Sequence, residues 1–303
     1  MLKKSIDAYV RLRRALGFQL QTEERQLHDF WRWAHQRGET HVHARTATEW
    51  AALGRSPWQR ERRLRTVAAF ARHARTEDSR HQVPPTGVFS HRHVRPVPHI
   101  YSADDVRLLL EAASRLAPTW PLRPQVFTAL FGLLASTGLR VSEALMLQLD
   151  DVTTDGLVIR KTKFNKTRLV PLHATTADAL GRYLDLRRCR RVASDYVFLS
   201  PTGGRLPYGT VNKWFLRLAR QVGLRGAPGT PGPRLHDLRH TFAVRALEGC
   251  PDPGSPVGQK VRALSTYLGH GRVSDTCWYL HATPQLMRGV ADACEHFLEA
   301  GAS

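Results

Sequence analysis

Apolar positions recur with helical spacing through most of the chain. In "TEERQLHDFWRWAHQRG", Leu27, Phe30, Trp31 and Ala34 fall at i, i+3, i+4 and i+7, the repeat of an amphipathic helix. Thr22 predicts its cap, Glu23 and Glu24 suit its first turn, and Gly38 predicts its end. Thr48–Leu53 reads as a short helix. Ser56-Pro57 opens another, with Pro57 at the first helical position. There Leu64, Val67, Ala68 and Ala71 form the apolar stripe, while Arg60, Arg62, Arg63, Arg65, Arg72 and Arg75 crowd the other faces. The pattern predicts a helical domain over residues 1–80.

Periodicity stops in "TEDSRHQVPPTGVFSHRHVRPVPHI", where prolines and histidines dominate. An extended linker is expected over residues 81–100. His81, His91, His93 and His99 are irregularly spaced and lack partner cysteines or acids, so a basic linker is expected rather than a metal site. A second domain over 101–303 opens at "YSADDVRLLLEAA". Ser102 and Asp105 make a cap-like pair before Val106, Leu109 and Leu110. An apolar helix follows over about 125–137. Leu157–Ile159 and Arg168–Leu172 read as strands of a small antiparallel sheet, and helices resume from about 175. The fold class expected is mainly α with a small antiparallel β-sheet.

Charge adds the partner. The formal net charge is +19 over 303 residues, with a pI near 10.8. That excess predicts a polyanion, nucleic acid being the usual one, and turns the arginine-rich helix face into a DNA-facing candidate. A merely solvated face is the alternative. No apolar run approaches the ~20 residues needed to span a bilayer. The charged start "MLKKSIDAYVRLRR" lacks a signal-peptide pattern, so a cytoplasmic location is expected and no membrane partner. Cys189, Cys250, Cys277 and Cys294 show no C-x-x-C spacing, which predicts free thiols and no cysteine zinc site.

"LHDLRH" poses a choice. His236 and His240 stand four apart, as helical metal ligands do. Arg239, three after His236, suits a phosphate instead. A zinc-protease helix needs a glutamate after its first histidine and a third ligand, and Asp237 is a methylene shorter with no ligand motif following. The metal reading is therefore set aside, and no cofactor or metal is expected. His240 is left to pack or hydrogen-bond behind the site through Asp237.

The segments "STGLRVSEAL", "KTKFNKTRLVPL", "LHDLRHTFA" and "LSTYLGHGRVSDTCWYLHA" occur in this order. Together they resemble the tyrosine recombinases, the phage integrases and Xer-like enzymes, closely over about 100–285 and in general character over 1–95. The resemblance implies an N-terminal helical, SAM-like core-binding domain and a C-terminal α+β catalytic domain. It implies that Arg140 and Arg239 bind the scissile phosphate and that Lys163 is the hairpin lysine acting as general acid. His236 and His270 become the two catalytic histidines, Tyr279 the nucleophile and Glu143 a supporting acid. Phe164 stands where the family's hairpin has glycine. Lys166 and Arg168 join Arg60, Arg62, Arg63 and Arg65 as candidate DNA contacts. The last helix, with Leu286, Val290, Ala291, Cys294 and Leu298 on one face, is implied to dock on a neighbouring protomer; packing on its own domain is the alternative. The Pro/Gly loop at 249–259 resembles transposon-borne members.

The implied partners are a double-stranded DNA recombination site, other copies in a tetramer, and sister recombinases. The implied activity is DNA cleavage through a 3′-phosphotyrosine and rejoining, in integration, excision or transposition. The rival is a catalytically silent integrase-like DNA-binding protein. A one-sided topoisomerase would share the chemistry.

Overall fold

The computed structural model describes residues 1–89, 97–120, 122–160, 167–190, 193–249, 257–277 and 279. The chain divides into two compact units, residues 1–96 and 97–303.

The first unit holds α1 (Leu2–Ala15), α2 (Gln21–His35), α3 (Ala44–Ala52) and α4 (Pro57–Glu77). Their apolar stripes meet in a core of Ile6, Leu27, Phe30, Trp50, Leu64 and Phe70. The α4 signal is realised as written: Ser56 Oγ accepts from the Gln59 amide at 3.3 Å and Pro57 leads the helix. Two starts differ from expectation. Helix α2 begins before Thr22, because Leu20 turns the chain in the left-handed region (φ 47°) without a side-chain cap. Helix α3 begins at Ala44 because the Thr48 hydroxyl bonds back to the Ala44 carbonyl at 2.9 Å instead of capping.

The expected linker is corrected over 81–89, which packs on the first unit. His81 is buried, its Nδ1 accepting from the Val42 amide at 3.1 Å, and the Gln82 amide donates to the Val42 carbonyl at 2.8 Å. Glu61, itself buried on α4, accepts from the amides of Gly87 and Phe89 at 2.8 and 3.3 Å. Residues 90–96 lie outside the described ones.

The second unit runs α5 (Ala103–Ser114), α6 (Arg123–Thr137), α7 (Val141–Met146), β1 (Val152–Thr153), β2 (Gly156–Ile159), β3 (Arg168–Val170), α8 (Ala174–Cys189), α9 (Tyr208–Gln221), α10 (Asp237–Glu248), α11 (Val257–Leu268) and α12 (Ser274–Cys277). Ser102 and Asp105 close a reciprocal capping box on α5 at 3.0 and 2.8 Å. Val126, Phe127, Leu130, Phe131 and Leu134 bury one broad face of α6, while Gln125 and Ser136 on the other side are exposed. The sheet is antiparallel in the order β1-β2-β3, with Leu157 opposite Val170 and Ile159 opposite Arg168. Strand β3 stops short of Leu172 because Pro171 has no amide to donate.

The β2–β3 connection with Lys163 and Lys166, the stretch 250–256 of the Pro/Gly loop and the C-terminal stripe beyond Tyr279 lie outside the described residues. No helix among the described residues is long and apolar enough to cross a membrane. Cys189 and Cys277 are free thiols.

Candidate active site

Arg140 is set by a turn that demands glycine. Helix α6 ends at Thr137, and Gly138 follows with φ 61°. A Cβ there would lie 2.4 Å from Cδ1 of Phe242 on α10, so the residue type is fixed by backbone twist and by contact. Arg140 then caps α7, where Glu143 Oε2 accepts its amide at 3.0 Å and Oε1 accepts its Nη1 at 2.8 Å.

Arg239 comes from α10, whose start is tied to the rest of the unit. The Tyr101 hydroxyl donates to the Arg234 carbonyl at 3.0 Å, and the Tyr101 amide donates to Thr241 Oγ1 at 2.9 Å. Asp237, expected to serve His240, instead takes the amide and guanidinium of Arg234 at 2.8 and 2.7 Å. That expectation is corrected: an arginine fork three residues upstream satisfies the carboxylate.

The third element is the end of α11. His270 N donates to Ser265 O and Gly269 N to Thr266 O, both at 3.0 Å, with Gly269 at φ 65°: a Schellman ending. The next three carbonyls each accept from a different arginine. Arg168 Nε reaches Tyr267 O at 2.8 Å, Arg239 Nη2 reaches Leu268 O at 2.8 Å, and Arg140 Nη2 reaches Gly269 O at 3.2 Å. Cations are favoured at this negative end of a helix dipole. The helix terminus thus gathers three guanidiniums whose mutual repulsion would otherwise drive them apart.

His270 leaves this turn with Nε2 3.0 Å from Arg239 Nη2 and Nδ1 2.7 Å from Thr276 Oγ1. Tyr279 is 3% exposed; its ring stacks on His270 at 6.0 Å and meets His240 edge-on at 5.3 Å. His240 also meets His236 edge-on at 5.0 Å. Among the described residues, its buried Nδ1 has no hydrogen-bond partner.

The electrostatics follow from burial inside a cationic cluster. Burial, then the Arg140 charge, brings Arg239 down to about 10, so it stays cationic at neutral pH. Burial and then Arg239 push His270 down to about 4, and His236 moves down for the same two reasons. Burial and then His236 take His240 to about 4. Burial alone would raise the Glu143 carboxyl, but the hydrogen bond and charge of Arg168, with Arg140 behind them, hold it below the ordinary value. Neutral imidazoles therefore stand among fixed cations, an arrangement suited to a developing oxyanion and a moving proton.

The candidate DNA contacts divide. Arg168 is corrected: its side chain is 12% exposed and forms a fork on Glu143 at 3.0 and 2.8 Å. Strand parity turns it inward with the buried Val170 two residues on, while Leu169 between them faces out. Arg63 is also corrected. It is 17% exposed, pairs with Asp29 at 3.1 Å and lies over the Trp50 ring at 4.0 Å. Arg62 pairs with Glu23 at 3.2 Å, Arg60 donates to the Gly54 carbonyl at 2.8 Å, and Arg65 pairs with Glu61 at 2.7 Å while remaining 67% exposed.

Among the described residues, His41, Asp78 and His81 form the one group spaced for a metal ion. The donor chemistry does not suit one. His81 Nδ1 already accepts the Val42 amide, which leaves the ring proton on Nε2, and Asp78 is held by Arg80 at 2.8 Å. A cleft of about 470 Å³ between α6 and α8 is lined by Leu110, Ala129, Leu133, Ala179 and Leu186 and includes none of the clustered arginines.

Residues 101–285 match the phage integrase family. Over 94% of its length the chain is 41% identical to 94% of a putative integrase/recombinase, y4rB, of Sinorhizobium fredii. Over 76% of its length it is 32% identical to 74% of the tyrosine recombinase XerD of Brucella abortus. In fold it resembles the Tn1549 transposon integrase, solved with circular intermediate DNA, at a TM-score of 0.63 and 18% identity over 96% of this chain and 98% of that one.

Proposed function

The chain belongs to the phage integrase family and is a site-specific tyrosine recombinase, and from that premise we propose that Tyr279 is the nucleophile. Its hydroxyl oxygen attacks the scissile phosphorus of duplex DNA, the 5′-oxygen leaves, and a 3′-phosphotyrosyl bond retains the energy for rejoining. Attack by a new 5′-hydroxyl reverses the step on a different partner, so neither nucleotide cofactor nor metal is consumed.

Arg140 and Arg239 hold the non-bridging oxygens as extra negative charge develops, since guanidiniums present paired donors and stay charged at working pH. His236, neutral at pH 7, takes the phenol proton, because a phenol of pKa ~10 attacks poorly while protonated. His270 hydrogen-bonds the phosphate from Nε2–H, protonated when Arg239 turns from the ring to the non-bridging oxygens. Lys163, outside the described residues, protonates the leaving 5′-oxygen. The observation that supports this most is the convergence of Tyr279, Arg239 and His270, with Arg140 joined to Arg239 through the end of α11.

The partners in this reading are a double-stranded recombination site and further copies in a tetramer, through the C-terminal helix, with sister recombinases on the same element. It acts on DNA in the cytoplasm and integrates, excises or transposes a mobile element. Residues 1–80 serve as the core-binding domain, with Arg65 the most exposed of Arg60, Arg62, Arg63 and Arg65 on α4. Affinity carried by phosphates falls steeply with salt.

The test is a nicked suicide duplex carrying the element's end. Wild-type protein yields an adduct that survives detergent; Tyr279→Phe yields none. No adduct from wild type, or an adduct from the variant, overturns the assignment and favours a silent DNA-binding relative.

A further inference from the structure

Glu143 is saturated. Its Oε1 accepts Arg140 Nη1 at 2.8 Å and Arg168 Nη1 at 3.0 Å; its Oε2 accepts the Arg140 amide at 3.0 Å and Arg168 Nη2 at 2.8 Å. A carboxylate offers about four lone-pair sites, so every one is engaged. We propose that Arg168 is a positioning residue of the phosphate site, fixing Arg140 through Glu143 and fixing the turn that carries His270 through the Tyr267 carbonyl. This rests on the phosphate-site reading above and assigns Arg168 no contact with DNA.

Two physical effects make the role specific. The first is geometric. Without Arg168, Glu143 keeps only the two bonds from Arg140, and the carboxylate and guanidinium can swing as a pair. With it, the fork pins the carboxylate plane. The second is electrostatic. One carboxylate facing one guanidinium cancels the charge a phosphate needs. Sharing Glu143 between two guanidiniums leaves net positive charge at Arg140, and Arg239 adds another. A lysine could restore charge at 168 but not two parallel donors plus a third to Tyr267.

The turn is shaped around this side chain. A Cβ on Gly269 would stand 2.6 Å from Arg168 Nη1 and 2.9 Å from its Cζ. The guanidinium fills the space where Gly269 has no side chain, and the carbonyl of that glycine receives Arg140. Arg168, Glu143, Arg140 and Gly269 are therefore one packed unit.

Two measurements decide the proposal. In the protein without DNA, nuclear magnetic resonance reports rotation of the Arg140 guanidinium about its Nε–Cζ bond. Arg168→Ala speeds that rotation at least tenfold and Arg168→Lys speeds it less. Arg160→Ala, which removes the Arg160–Asp151 ion pair beside the same sheet, leaves it unchanged. On a nicked duplex at saturating concentration, Arg168→Ala cleaves at least tenfold more slowly, with affinity for the duplex within about threefold of wild type. When a methylphosphonate replaces the scissile phosphate and removes its negative charge, the gap between wild type and variant narrows to within about threefold. A general loss of structure would slow both substrates alike. The proposal is overturned if Arg140 rotates no faster in Arg168→Ala, or if the cleavage gap is equal on the two substrates. If wild type forms no adduct, the recombination reading falls, while the DNA-free measurement still judges Arg168. If Arg168→Ala does not fold, Arg168→Lys carries both measurements.

Discussion

Nε2 of His270 accepts a hydrogen bond from Arg239, 3.0 Å away, because a guanidinium can only donate. The one proton of the neutral ring therefore sits on Nδ1, held 2.7 Å from the Thr276 hydroxyl. Arg239 thus sets the tautomer, and Thr276, accepting from Nδ1, sets the aim of a proposed phosphate ligand. Thr276→Val should slow single-turnover cleavage about five- to tenfold, the size of one hydrogen bond of ~1–1.4 kcal/mol, with DNA affinity unchanged. Thr276→Ser should restore most of the rate. Cleavage by the valine variant at the wild-type rate would show that Thr276 does not orient the ring.

Gly138 carries both a left-handed backbone and a contact with Phe242. Its carbonyl also accepts Arg239 Nη1 at 2.7 Å. Gly138→Ala should cost about 2–3 kcal/mol, lowering the melting temperature of the second unit by roughly 5–10 °C. A calorimetric scan showing no change would mean that the turn repacks freely.

Three site histidines bind protons less readily folded than unfolded: His240 and His270 titrate near 4, and His236 is also lowered. An unfolded histidine titrates near ~6.5. Between those values the unfolded chain binds more protons, so stability is full above about 6.5 and is lost as pH falls toward 4. His240 and His270 each contribute on the order of 1 kcal/mol once solvent screening is allowed for, and His236 adds in the same direction. Denaturant titrations at pH 7.5, 6 and 5 should show the decline, and His240→Gln should flatten it. A slope of the opposite sign would mean these rings are charged in the fold.

Glu61 anchors residues 81–89 to the first unit through two backbone amides and meets Arg65 on its own helix. Removing its carboxylate takes the acceptor from those two partly buried amides, at about 1 kcal/mol. Glu61→Ala should speed tryptic cleavage at Arg80 several-fold under native conditions, and Glu61→Gln should do so less. Equal cleavage rates would show that the segment is held by its apolar contacts alone.

Much of this architecture is legible because its signals are local. Ser56-Pro57 and the Ser102–Asp105 pair each act within one turn, and the sequence carries that whole turn. What escaped is long-range pairing. The arginines of α4 read as one surface stripe, yet Arg62 and Arg63 answer acids on α2, and nothing near them in sequence announces those partners. Proximity points Asp237 at His240, yet Arg234 offers the better-shaped fork. Arg168 was within reach: it stands two residues before Val170 on a short strand, and that parity places both on the inner face. The convergence of three arginines on one helix end had no sequence signal, because backbone carbonyls carry no residue type.

That last feature has an evolutionary consequence. The anchors for Arg168, Arg239 and Arg140 are main-chain oxygens of Tyr267, Leu268 and Gly269. The side chains there do separate work: the Tyr267 ring stacks on Phe242 and Leu268 fills the core. Substitutions at 267 and 268 can therefore follow the demands of packing while the charged frame stays in register. The glycine is held by its backbone twist and by contact with Arg168, and its two predecessors answer to packing. A family of such enzymes could diversify its interior here without rebuilding its chemistry.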